Sequence, residues 1–87
     1  MEATGTIRVL LADDHAVVRE GLKSLLGVES DMELVGEASN GAMAVRMTAE
    51  LDPDVVVVDV SMPEMGGAEV TAKLKAVRPD RKVLALT

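Results

Sequence analysis

The sequence predicts an α/β fold built on a parallel sheet with helices on both faces. Short apolar, β-rich runs alternate along the chain with apolar stripes at helical spacing. Four consecutive valines at residues 55–58 indicate a strand that is buried on both faces, which is typical of a parallel sheet. Because the connections are short, the predicted order is βαβαβαβ with right-handed crossovers.

The first part of the chain contains two predicted strands and one predicted helix. Ile7–Ala12 is an apolar run that ends at two acids, and Met32–Ala38 alternates between two faces as a strand does. Between them, residues 16–26 form a predicted helix with four apolar residues on one face: Val18, Leu22, Leu25 and Leu26. Residues 39–41 (Ser-Asn-Gly) supply a turn and a helix N-cap.

Two further helix–strand pairs follow. Residues 42–51 form a predicted helix with Ala44, Met47 and Leu51 on one face, and Pro53 prevents its continuation. Residues 54–60 are the valine-rich strand. A loop rich in Gly and Pro leads to a third predicted helix at about residues 68–77, and Lys82–Leu86 is the fourth strand.

Composition excludes several classes of function. The chain has 87 residues, a net charge of −6, no Cys and no aromatic residue, so it forms one domain or part of one. A disulfide scaffold, a thiolate metal site and a cysteine nucleophile are excluded. The acidic charge and the lack of aromatic residues also argue against nucleic-acid binding by this segment. No apolar run is long enough to span a membrane and no export signal is present, so we expect a cytoplasmic protein.

Three acids follow two of the predicted strands. Asp13 and Asp14 follow the first strand and Asp59 ends the third, and the topology places them at the same edge of the sheet. Carboxylates held together repel one another, and a cation relieves the repulsion. An all-oxygen ligand set suits Mg²⁺, and a bound Mg²⁺ leaves room for a phosphoryl group. Asp59 is then the expected nucleophile, because carboxylates form acyl phosphates.

These motifs, in this order, resemble the receiver domain of bacterial two-component response regulators, most closely of the NarL/FixJ type. The resemblance covers nearly the whole chain from Ile7 onward. The matching residues are Leu11-Ala12-Asp13-Asp14-His15, Ser39-Asn40-Gly41, residues 53–59 (PDVVVVD), Met62-Pro63, Gly66-Gly67 and Ala85-Leu86-Thr87.

The resemblance implies a role for each matching residue of the site. Asp59 is similar to the phosphoacceptor, which takes a phosphoryl group from a phosphohistidine on a sensor histidine kinase. Asp14 resembles the direct Mg²⁺ ligand, with Asp13 acting nearby through water and the backbone carbonyl of Ser61 as a further ligand. Thr87 matches the switch hydroxyl that contacts the phosphoryl group. The family implies a phosphoacceptor switch, with self-phosphoryl transfer and autodephosphorylation, rather than a metabolic enzyme.

The resemblance also implies a flavodoxin-like fold of which this chain has a part. We expect four strands in the order 2-1-3-4 and three helices, without the fifth strand, the last two helices and the DNA-binding output domain of the family. The family's lysine and switch aromatic on the fifth strand are then absent, so we expect weak Mg²⁺ binding and poor or short-lived phosphorylation. An apolar fourth strand at the edge of the sheet is liable to pair with another chain, so we expect self-association.

Other interpretations of the same residues stay open. A Mg²⁺-dependent aspartyl-phosphate phosphatase also has a nucleophile at the end of a central strand, although such enzymes carry an acid where this chain has Ser61. A structural association module with a vestigial acidic pocket is a third interpretation. Asp13 and Asp14 could be a solvated strand end near a helix N-cap, and His15 is expected to be exposed rather than a metal ligand.

Overall fold

The computed structural model of this chain describes residues 6–28, 30–59, 72, 73, 75, 78 and 82–86. In this part of the chain all the strands are parallel and lie in the order β2-β1-β3-β4, which confirms the predicted topology. The elements are β1 (Ile7–Ala12), α1 (Ala16–Gly27), β2 (Met32–Ala38), α2 (Gly41–Leu51), β3 (Val55–Asp59) and β4 (Lys82–Leu86).

The predicted bounds of β1, β2 and β4 are confirmed, and the other elements differ by a residue at an end. The strand β3 begins at Val55 rather than Asp54, whose side-chain Oδ2 accepts the backbone N–H of Arg8 at 2.9 Å. Of the predicted third helix, Ala72, Lys73 and Lys75 are helical, and its other residues lie outside the described part of the chain.

The core lies between the sheet and α2. Leu10 and Ala12 of β1 pack there with Val56 and Val58 of β3 and with Ala44 of α2, all of them buried. The predicted apolar face of α2 is confirmed, since Met47 and Leu51 pack against the same cluster. Burial of apolar surface stabilises the folded state by roughly 25 cal/mol per Å². A shift of one strand by one residue would turn its buried side chains to the other face, so this burial also holds the strands in one register.

The opposite face of the sheet is less covered. Val9 and Leu11 are buried there, whereas Val57 of β3 is half-buried, so the prediction of full burial for the valine strand holds on one face only. The predicted apolar stripe of α1 is wrong in part, because Val18 is 40% and Leu25 is 67% exposed. Among the described elements, α1 packs mainly on the edge strand β2, which covers only part of this stripe.

Both ends of α2 are fixed by local hydrogen bonds. At the start, the side chain of Asn40 accepts the backbone N–H of Met43 at 2.8 Å, which confirms the predicted N-cap. At the end, Asp52 adopts a left-handed conformation with φ of 47° and donates its N–H to Thr48. Neither described helix has the length and apolar character needed to cross a membrane.

Replacing Asn40 by Ala tests the importance of this cap. Asn40→Ala removes the acceptor for the N–H of Met43, so we expect the free energy of unfolding to fall by about 1 kcal/mol. Urea unfolding followed by far-UV circular dichroism measures the loss, since the chain has no aromatic residue to act as a fluorescent probe. The exposed neighbour Ser39, replaced by Ala, is the control, and an equal loss in both variants would contradict the assigned cap.

Candidate functional site

The carboxyl ends of β1 and β3 lie side by side. Ala12 pairs with Val58, so the next residues, Asp13 and Asp59, occupy neighbouring positions at the edge of the sheet. Their side chains are buried, with 6% and 8% exposed, while that of Asp14 is 29% exposed. The structure therefore brings together the three acids that the sequence singled out, as two buried carboxylates with a third toward the solvent.

Asp13 is held in place by three neighbouring elements. Its N–H donates to the carbonyl of Ala38 at the end of β2 at 3.0 Å. Its carbonyl accepts Nη1 of Arg19 from α1 at 2.5 Å, and Arg19 also forms an ion pair with Glu37 at 3.4 Å. Its Oδ1 accepts the backbone N–H of His15 at 2.8 Å, which closes a tight turn after the strand. The position of this carboxylate is therefore built into the fold.

His15 lies among the three acids, a contact that the sequence analysis did not predict. Its Nδ1 is 3.0 Å from Oδ1 of Asp13, 3.0 Å from Oδ1 of Asp14 and 3.5 Å from Oδ2 of Asp59. The expectation of an exposed imidazole is confirmed, since 60% of the side chain is exposed, but exposure does not keep the ring away from the pocket. The sequence feature that could have predicted this contact is the position of His15 two residues after Asp13. An Asp side chain often accepts the backbone N–H of the residue two positions later, in an Asx-turn.

The acids change the proton affinity of this imidazole. The hydrogen bond to Asp13 raises the pKa of His15 above its usual 6.5, and the charge of Asp14 raises it further. The three acids therefore favour the protonated form of the ring, and a protonated ring would offset part of the repulsion among the carboxylates.

The ligand atoms fit a hard divalent cation. One oxygen from each of Asp13, Asp14 and Asp59 and one nitrogen of His15 lie within 4.8 Å of one another. Opposite ligands of Mg²⁺ are separated by about 4.2 Å, twice its metal–oxygen distance. Ligand atoms this close together suit a cation held directly by some of these residues and through water by others.

Several residues named from the sequence lie outside the described part of the chain. These are Ser61, Pro63, Gly66, Gly67 and Thr87. Lys82 lies at the opposite end of the sheet, where it pairs with Val55 at the start of β3. Lys23 lies on α1, where its Nζ is 2.9 Å from Glu20 and 2.9 Å from Glu37.

The family match and the similar proteins all indicate the same family for this chain. Residues 9–87 match the family described as the response regulator receiver domain. The transcriptional regulatory protein YdfI of Bacillus subtilis (strain 168) is 45% identical over 80 residues, which cover 92% of this chain and 37% of YdfI. The chain therefore spans well under half the length of this curated relative.

Two solved structures are also similar to this chain. The signal receiver domain of the response regulator NarL from Mycobacterium tuberculosis is 35% identical with a TM-score of 0.88, over 94% of this chain and 66% of that one. RcsB from Salmonella enterica serovar Typhimurium, bound to promoter rprA in the presence of phosphomimetic BeF3⁻, is 27% identical with a TM-score of 0.86. That match covers 95% of this chain and 43% of RcsB.

The raised pKa of His15 gives a prediction about pH. We expect the imidazole of the metal-free protein to titrate above pH 6.5, and Asp14→Asn to lower its pKa by removing one favourable charge. A histidine whose pKa is raised on folding stabilises the folded state at low pH, and this stability is lost as the pH rises through the folded-state pKa. NMR of the imidazole C–H signals measures the titration without ambiguity, because the sequence has a single His.

The control for this titration is Asp31→Asn, which removes an exposed acid outside the cluster and should leave the pKa of His15 unchanged. A pKa at or below 6.5 in the wild-type protein would contradict the contacts described for the ring.

Proposed function

Because this chain belongs to the response regulator receiver domain family, we propose that it is a phosphoacceptor switch with Asp59 as the phosphoacceptor. The observation that carries the proposal is the meeting of Asp13, Asp14 and Asp59 at the carboxyl ends of β1 and β3. In an open parallel sheet this edge is where ligands bind. Burial of two carboxylates at that place costs free energy, and such groups cluster at functional sites, which supports the proposal.

The proposed phosphodonor is a phosphohistidine on a sensor histidine kinase. A carboxylate oxygen of Asp59 attacks the phosphorus atom and forms an acyl phosphate. The bond between phosphorus and the histidine nitrogen breaks, its electrons stay on that nitrogen, and the released imidazole takes a proton from water. Asp59 is itself buried, and its Oδ2 lies 3.5 Å from Nδ1 of the exposed ring of His15. Attack of water on the phosphorus atom breaks the bond to the carboxylate oxygen, releases inorganic phosphate and returns the free carboxylate.

The acidic residues beside Asp59 would hold a Mg²⁺ ion. We assign Asp14 as a direct ligand, because it is the most exposed of the three acids, and Asp13 as a ligand that acts through water. An oxygen of Asp59 and the backbone carbonyl of Ser61 complete the proposed set. When bound, the ion neutralises charge on the phosphoryl oxygens. Thr87 is proposed as the hydroxyl that contacts the phosphoryl group.

The role of the whole protein is a further part of the proposal. YdfI is called a transcriptional regulatory protein and RcsB is described on a promoter. By analogy, phosphorylation of Asp59 would switch transcription through a DNA-binding output domain, and the protein would act in the cytoplasm. The expected self-association through β4 stays a prediction, which the 57% exposure of Leu84 on that strand favours.

Intact-mass analysis tests the phosphoacceptor directly. After incubation with Mg²⁺ and a small phosphodonor such as acetyl phosphate, we expect a fraction of the wild-type protein to gain one short-lived phosphoryl group. Asp59→Asn should gain none, because an amide cannot form the acyl phosphate. The exposed residue Asp31, replaced by Asn, is the control and should be modified like the wild type.

The same measurement separates the competing functions. An adduct that persists in Asp59→Asn would overturn the assignment of the phosphoacceptor. Steady turnover of a phosphoester by the wild-type protein would favour the phosphatase interpretation instead.

A further inference from the structure

His15 combines three features that point to a role in the pocket. Its Nδ1 lies at 3.0 Å from oxygens of both Asp13 and Asp14, and at 3.5 Å from Asp59. Its backbone N–H donates to Asp13, so the same turn that shapes the acidic site also orients the ring. The ring is 60% exposed, so a hydrated cation can reach Nδ1 from solvent.

The distances from Nδ1 to the acids match those between adjacent ligands of a six-coordinate metal. For bonds of about 2.1 Å, adjacent ligands of an octahedron lie about 3.0 Å apart. Nδ1 stands at that distance from two carboxylate oxygens without any movement of the backbone. A cation held by Asp14 can therefore have the imidazole as a neighbouring ligand in place of a water molecule.

We propose that His15 is a metal-selectivity residue, whose Nδ1 shifts the preference of the pocket from Mg²⁺ toward first-row transition ions such as Mn²⁺ and Ni²⁺. The inference rests on the proposed function, because it uses the same pocket. Mg²⁺ binds imidazole poorly and keeps its waters. Imidazole suits the transition ions, with an affinity that rises along the series from Mn²⁺ through Co²⁺ to Ni²⁺.

This order of affinities among the metal ions distinguishes coordination by the His15 nitrogen from an effect of the charge of His15. If His15 acted only through its charge or its packing, its removal would change the affinity for every divalent ion by the same factor, because all of them carry the same charge. A coordinating nitrogen instead gives an effect that is absent for Mg²⁺ and grows from Mn²⁺ to Ni²⁺. The comparison of ions within one variant therefore identifies the mechanism.

Calorimetric titration of the 87-residue chain with Mg²⁺, Mn²⁺ and Ni²⁺ tests the proposal. In His15→Ala we expect the preference for Mn²⁺ over Mg²⁺ to fall by about tenfold, and the preference for Ni²⁺ to fall further. His15→Asn keeps a polar side chain but offers an amide oxygen instead of the imidazole nitrogen. It should also lose the preference for Mn²⁺ and Ni²⁺ over Mg²⁺. Val17→Ala is the control, since Val17 is 85% exposed, lies near the pocket and offers no ligand.

A spectroscopic measurement on wild-type protein needs no variant. Pulsed electron paramagnetic resonance of the Mn²⁺-loaded chain, free of any histidine tag, should show the nitrogen coupling of a bound imidazole. His15 is the single His of the sequence, so the signal reports on this ring alone. Absence of the coupling, or an equal change in affinity for all three ions in His15→Ala, would overturn the proposal.

The outcomes also separate this inference from the proposed function. If the wild type binds Mg²⁺, Asp14→Asn abolishes that binding and His15→Ala leaves the ion preference unchanged, then the inference fails and the Mg²⁺ pocket stands. If the wild type binds none of the three ions, both the pocket and the inference are overturned.

Discussion

Repulsion among carboxylates at one edge of the sheet is the constraint on which the rest of the site depends. Because Ala12 pairs with Val58, the residues that follow them, Asp13 and Asp59, lie side by side. That register is in turn held by the buried residues Leu10 and Val56, because a slip by one position would move a whole apolar face out of the core. Hydrophobic packing thus maintains an arrangement of charges that is unfavourable by itself and that a bound cation would relieve.

The two ends of the sheet differ in their charged residues. At the amino end of β3, the guanidinium of Arg8 donates to the carbonyl of Leu51 at 2.6 Å and to that of Asp52 at 3.0 Å. The carboxylate of Asp54 accepts the backbone N–H of Arg8 there, and Arg78 lies 3.2 Å from the carboxylate of Asp52. Acids at this end are matched by arginines of the chain. At the other end, among the described residues, the imidazole of His15 lies within 3.5 Å of an oxygen of each of the three acids.

Sequence patterns predicted the sheet and the acidic edge, because both follow from repeating features. Strand composition fixes β1, β2 and β4, and parallel topology places Asp59 beside Asp13. The exposure of Leu25 was not predicted, since helical spacing does not say which element a stripe will meet. The contacts of His15 were not predicted either. They depend on one turn, whose geometry is set by hydrogen bonds rather than by periodicity.

The Mg²⁺ dependence of the free energy of unfolding tests the central claim most directly. It should be measured by urea unfolding at constant ionic strength, with NaCl replacing MgCl₂ in the reference. If a cation relieves the carboxylate repulsion, stability of the wild type rises with the logarithm of Mg²⁺ concentration above the dissociation constant, and Asp14→Asn shows a smaller rise. A wild-type stability that does not change with Mg²⁺, or an equal rise in both proteins, would contradict the account.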